Sequence, residues 1–206
     1  MPSTWERSRK SHKWVLIGLM VSGLLVLAAF PAISAKKVKD ETIEATAMGT
    51  GTQMGQVIGI SVEIYEYSTP EDRQTLIEAF NKGQNQGLVN ALTKMHAVGH
   101  ISITGTLGYD LAFVRMIPTP TGRKIRFVTN RQLRFGEVWA DAQSTSFNLT
   151  AGEFVLDDTD KSKSTGVLYP EAQIALDNQG QLQIELRQNA WKLVDVIDWK
   201  GTPGVN

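Results

Sequence analysis

Residues 58–74 read IGISVEIYEYSTPEDRQ, and within this stretch the periodicity of the chain changes. Up to Ile64 the apolar side chains take every second position. Ile58, Ile60, Val62 and Ile64 alternate with Gly59, Ser61, Glu63 and Tyr65. Period two marks a strand buried on one face. At Ser68 the signals become those of a helix start. Ser68 or Thr69 supplies the N-cap oxygen, and Pro70 suits the first helical position, where its missing N–H is no loss. Glu71 and Asp72 meet the positive end of the helix dipole. Leu76, Ile77 and Phe80 then share one helix face, and Gly83 stops the helix. After Gly87, the residues Leu88, Leu92 and Met95 form the stripe of a second helix, with Gly99 as its C-cap.

Outward from this stretch the pattern is strands and turns. Ile43, Ala45 and Ala47 alternate upstream, and Gly49, Gly51 and Gly55 mark a turn. Downstream, Ile101 and Ile103 share a face. Leu111 and Phe113 are expected on one face of the next strand, with Ala112, Val114 and Met116 on the other. Pro118–Gly122 is a hairpin connection, after which Ile125 and Phe127 face one way and Lys124 and Arg126 the other. Leu133, Phe135, Phe147, Leu149, Phe154 and Leu156 supply further strands, and 157–165 is a polar turn. Residues 167–176, 181–187 and 191–199 are the last strands, with a hairpin turn at Asp177–Gly180.

The sum is an α+β fold, mostly antiparallel β, of about eight to nine strands with one helix pair inserted after the second. The helices are too few to cover a parallel sheet. Two architectures fit. A curved sheet or partly closed barrel would use the helix pair as a lid or plug. It is the better fit, because many short strands must curl or close to manage their edges. An open sheet or sandwich would carry the helices on one face.

The N-terminal end reads as an export signal. Arg7, Arg9, Lys10 and Lys13 precede an apolar run, Trp14 to Phe30, that holds no ionisable residue, and Pro31-Ala32-Ile33-Ser34-Ala35 follows. The apolar run would span roughly 25 Å as a helix, against about 30 Å for a bilayer core. Retention of residues 14–30 as a membrane anchor is therefore the alternative to cleavage after Ser34 or Ala35. Either way the remainder lies outside the cytoplasmic membrane, in the periplasm or the medium. Residues 36–41 read as a charged linker, 42–200 as a single domain and 201–206 as a tail. Without its basic N-terminus the chain is mildly acidic, which argues against nucleic acid as a partner. The chain has no cysteine, which excludes disulfides, thiolate zinc sites, iron–sulfur ligation and cysteine nucleophiles.

The segments ATAMGTG (45–51), YSTPEDRQ (67–74), GTLGYDLAFVR (105–115) and PTGRKIRFVTNR (120–131) resemble a group of exported bacterial envelope proteins to which no activity is assigned. The resemblance spans most of 42–196. It implies a single-domain envelope protein and carries no site residues. The layout is also similar to small lipid-binding barrels, an analogy of fold alone.

Several candidate chemistries fail on spacing. His96 and His100 have the i, i+4 interval of a metal pair, but Gly99 between them breaks the helix that would align them. They read as helix-end and loop histidines, and no metal or cofactor is expected. The glycines of 49–55 precede a strand rather than the helix a phosphate loop requires. A calcium loop counted from Asp158 would need glycine at Lys163 and glutamate at Tyr169. No G-x-S-x-G elbow is present. Tyr65, Tyr67, Tyr109, Trp139, Trp191 and Trp199 read as ordinary core or edge residues, with a cavity lining as the alternative.

The positive signal is a basic stretch. Arg115, Arg123, Lys124, Arg126, Arg131 and Arg134 fall in 111–136, a span without a single acid. Such a patch suits a phosphate headgroup or an anionic polysaccharide, which guanidiniums grip in pairs of bonds. The plainer reading is a solvent face whose bases pair with Glu63, Glu66, Glu137 or Glu153. The expectation is a non-enzymatic binder of an amphiphilic or anionic ligand, lipid or glycan, or of an envelope protein. The alternatives are a carboxylate-based envelope hydrolase and a structural or assembly protein.

Overall fold

The computed structural model describes residues 40–133, 149–185 and 190–199. The export signal, Arg134 and Trp139 lie outside these residues. Eight strands close into an antiparallel barrel. They are β1 (Glu41–Met48), β2 (Val57–Ile64), β3 (Gly99–Ile103), β4 (Tyr109–Thr119), β5 (Gly122–Thr129), β6 (Leu149–Asp157), β7 (Thr165–Ala172) and, after an outlying hairpin, β10 (Trp191–Asp198). Around the barrel the order is β1-β10-β7-β6-β5-β4-β3-β2, and β1 pairs with both β2 and β10. The hairpin is β8 (Ile174–Leu176) with β9 (Leu182–Ile184), joined by the expected turn, where Gly180 takes φ 69°. The stretch expected as one strand over 167–176 is thus two, parted at Gln173.

The period-two residues fill the barrel. Ile43, Ala45 and Ala47 of β1, Ile60, Val62 and Ile64 of β2, Ile125 and Phe127 of β5, Phe154 and Leu156 of β6 and Trp191 and Leu193 of β10 form one buried cluster. An eight-stranded barrel is just wide enough for side chains to fill it. Phe127 and Phe154 meet with ring centroids 5.7 Å apart. Gly152 stands opposite Phe127, and a Cβ there would lie 2.3 Å from the Phe127 ring. Phe127, Phe154 and Trp191 are fully buried, so aromatic rings occupy the space that a hollow barrel would leave for a ligand.

Helix α1 (Pro70–Leu92) starts where the sequence requires. Thr69 Oγ1 accepts from the Asp72 N–H at 3.1 Å, and the Thr69 N–H donates to Asp72 Oδ2 at 2.8 Å, a complete capping box ahead of Pro70. Ser68 instead docks the chain on β4, exchanging bonds with the Val114 backbone. The two helices expected run on without an intervening loop as a single element, interrupted by non-helical backbone at Gly83 and Gln84. It ends at Leu92 with Thr93 as C-cap, and Gly99 belongs to β3. Among the described residues no helix is long and apolar enough to cross a membrane.

The helix is neither plug nor interior lid. Leu76, Phe80, Leu88 and Leu92 pack with Ala112 and Phe113 of β4, Leu149 and Ala151 of β6, and Tyr169 and Ala172 of β7 in a second cluster on the outer wall. A register shift between Leu111 and Phe113 produces part of that wall. Leu111 and Val114 go to the interior cluster, while Ala112 and Phe113 both join the outer one, which corrects the alternation expected across 111–116. One extra residue in a strand reverses its parity.

Candidate functional site

Between α1, the outer wall of β4–β7 and the β8–β9 hairpin lies a cleft of about 320 Å³. Three elements build it. The helix contributes Leu76, Leu88 and Leu92, the wall contributes Phe113, Val128, Ala151, Val167 and Tyr169, and the hairpin contributes Ile174, Leu182 and Ile184. Asn85 ties the helix to the β7–β8 junction. Its side-chain N–H donates to the Ala172 carbonyl at 3.1 Å, and its oxygen accepts from the Ile174 N–H at 3.0 Å. This buried amide anchors the helical side of the cleft to the hairpin side.

Arg73, Arg115, Arg126 and Glu153 are the charged residues of the lining among those described. Arg115 of β4 lies directly opposite Arg126 of β5, which lies opposite Glu153 of β6. Glu153 accepts from Arg126 Nε at 2.5 Å and from Lys124 Nζ at 3.3 Å. Arg73 and Arg115 have no side-chain hydrogen bond or ion pair among the described residues. Burial, then Arg73, then Arg126 hold the Arg115 pKa below its ordinary value. A site of this size sits at the small end of ligand pockets, which run about 300–1,000 Å³. Its apolar depth and basic edge suit one hydrocarbon chain with an anionic end.

The expected basic patch therefore divides. Arg115 and Arg126 come together at the cleft, with Lys124 beside them on Glu153. Arg131 sits apart, its guanidinium 5.7 Å from the centre of the Tyr109 ring. Arg123 leaves the patch altogether, because it shares the inward parity of Ile125 and Phe127 and is 6% exposed. It donates from Nη2 to Glu41 Oε1 at 2.6 Å and to Asp198 Oδ2 at 2.5 Å, and from Nη1 to Asp158 at 3.2 Å. Glu41, expected in a solvated linker, is the first residue of β1 and fully buried. Tyr67 donates to its other oxygen at 2.8 Å. Burial, the Glu41 charge and this bond all push the Tyr67 pKa well above its ordinary value. Burial lowers the Arg123 pKa, but the bonds to and charges of Glu41 and Asp198 outweigh it and the net direction is up.

The other candidates have ordinary places. His96 lies beside Glu66, with Nε2 2.6 Å from Oε1, while His100 lies on β3 with Nε2 2.8 Å from the Leu107 carbonyl. Among the described residues no cluster of metal-ligating groups forms. Asp157 and Asp160 accept bonds from their own loop, Asp157 chiefly from the Asp160 N–H and Asp160 chiefly from Ser162, and both have lowered pKa values. Trp191 is interior, and Tyr65 and Trp199 are exposed. The sequence reading missed Arg73 and Tyr169 as lining residues. Arg73 was within reach of it, since 73, 76 and 80 follow the spacing of one helix face. Comparison of the chain with protein-family models, characterised proteins and solved structures finds no significant match.

Proposed function

We propose that this protein is a non-enzymatic binding protein that holds a single-chain anionic amphiphile in the cleft between α1, the outer barrel wall and the β8–β9 hairpin. One observation carries the reading: an apolar cleft whose rim holds two guanidiniums, Arg73 and Arg115, with no partner among the described residues. Apolar walls with a few convergent polar groups are the general form of a small-molecule site. The packed barrel interior supports the outer location, since it leaves the ligand the outer wall. The export signal expected in 1–35 would place this binding in the cell envelope, where such amphiphiles are abundant. A carboxylate hydrolase is less well supported, because among the described residues Glu153 is the one carboxylate in the cleft lining and is held by Arg126 and Lys124.

Calorimetric titration with straight-chain carboxylates of eight, ten and twelve carbons tests this. Each buried methylene contributes about 0.8 kcal/mol, so affinity should rise about fourfold per carbon until the cleft is full. Absence of binding across the series, or affinity indifferent to chain length, would remove the proposal.

A further inference from the structure

We propose that the head-group end of this cleft selects a dianion, a phosphate monoester carried on a single hydrocarbon chain. The inference rests on the amphiphile reading above and adds the chemistry of the head group.

Arg115 and Arg126 face each other across β4 and β5, an arrangement that by itself destabilises a sheet. Arg73 of α1 brings a third guanidinium close enough to act on Arg115. Among the described residues the charged and titratable groups around the head-group end are Arg73 from the helix, Arg115 from β4, Lys124 and Arg126 from β5, Glu153 from β6 and Tyr169 from β7, while the hairpin adds the neutral Gln183. Glu153 is bonded to Arg126 and Lys124, on the side of Arg126 away from Arg115. Among the described residues the Arg73–Arg115 side has no compensating carboxylate.

A monoanion meeting two unpaired guanidiniums leaves one positive charge unmatched, whereas a dianion matches both. A phosphate monoester also offers three terminal oxygens to the planar donor forks of arginine. Its second ionisation, near pH 6, switches it between one and two charges. Among the described residues no histidine lines the cleft, arginine and lysine keep their charge through this range, and Glu153 is held by Arg126 and Lys124, so the ligand itself is the group expected to titrate.

The test compares decyl phosphate, decyl sulfate and decanoate on the full chain by calorimetry, each below its critical micelle concentration. Sulfate ester and phosphate ester share a shape and differ in charge at about pH 8. We expect decyl phosphate to bind at least about tenfold more tightly than either monoanion at that pH. The gap between the phosphate and the sulfate should close at about pH 5, where both carry one charge. Arg115→Gln, checked for folding by circular dichroism, should erase the gap at about pH 8. Equal affinities at that pH, with all three compounds bound, would overturn the dianion inference and leave the cleft reading standing. A gap that survives Arg115→Gln would overturn it as well. Failure of every decyl compound to bind would remove the cleft reading itself.

Discussion

Arg123 is held between carboxylates at one end of an interior made mostly of hydrocarbon. Removing one partner from a buried pair leaves a charge without compensation, which costs about 3–5 kcal/mol. Arg123→Met should therefore lower stability by an amount of this order in urea unfolding, because Glu41 would stay fully buried beside an apolar side chain. Adding Glu41→Gln should recover part of the loss. If Arg123→Met unfolds at the wild-type urea concentration, the pair is not structural. The sequence reading put Glu41 in a linker and Arg123 in an exposed patch, although parity pointed inward for both. Glu41 precedes Ile43 by two and Arg123 precedes Ile125 by two, so parity places each inside the barrel. Charge misled because a charged residue alone is expected in water, and nothing in the linear pattern shows that two such residues, from β1 and β5, will meet.

At the scale of the element, the break in α1 and the helix that follows it hold two glycines with opposite roles. A Cβ on Gly87 would lie 2.1 Å from the Ala79 carbonyl oxygen, although in a straight helix residues eight apart are about 12 Å distant along the axis. The chain therefore turns sharply at Gly83 and Gln84, and Gly87 is the point of close approach. Gly83 has open space around its Cβ position and an extended φ of −153°. Gly87→Ala should destabilise the protein by about 1–3 kcal/mol through overpacking, despite the better helix propensity of alanine. Gly83→Ala should be nearly neutral. Thermal unfolding of the two variants checks the contrast, and equal effects would contradict the packing. The helix start was readable because caps are local, as was the β8–β9 turn. The parity shift at Leu111–Phe113 was not, because a bulge is set by pairing with the neighbouring strand. That the hairpin leaves the barrel and walls a cleft was equally hidden, since alternation names a face without naming the sheet it packs on.

At the scale of the whole molecule, β1 and β10 lie side by side and antiparallel, with the Trp199 N–H donating to the Thr42 carbonyl at 2.8 Å. A circular permutant of residues 40–199 follows. A short glycine-rich link would join Trp199 to Asp40, and new ends would open at Gly105–Thr106 in the exposed β3–β4 turn. It should keep the near-ultraviolet dichroism of the parent and unfold in one cooperative transition. A non-cooperative transition would show that the uninterrupted β3–β4 hairpin is essential to closure. Period two favoured a curved sheet or partly closed barrel over an open sheet or sandwich, but could not distinguish a filled barrel from a hollow one, because both bury alternate residues. The size of Phe127, Phe154 and Trp191 decides it.

The pairing of β1 with β10 also sets an order in time. Ile43 finds its partner in Asp198, about 155 residues on, so among the described strands the first made waits for the last. No early fragment can seal itself, and closing so long a loop must come before the contacts that repay it. The barrel should close only after β10 has been made, and slowly for its size. Until then β1 keeps one edge unpaired and open to wrong partners.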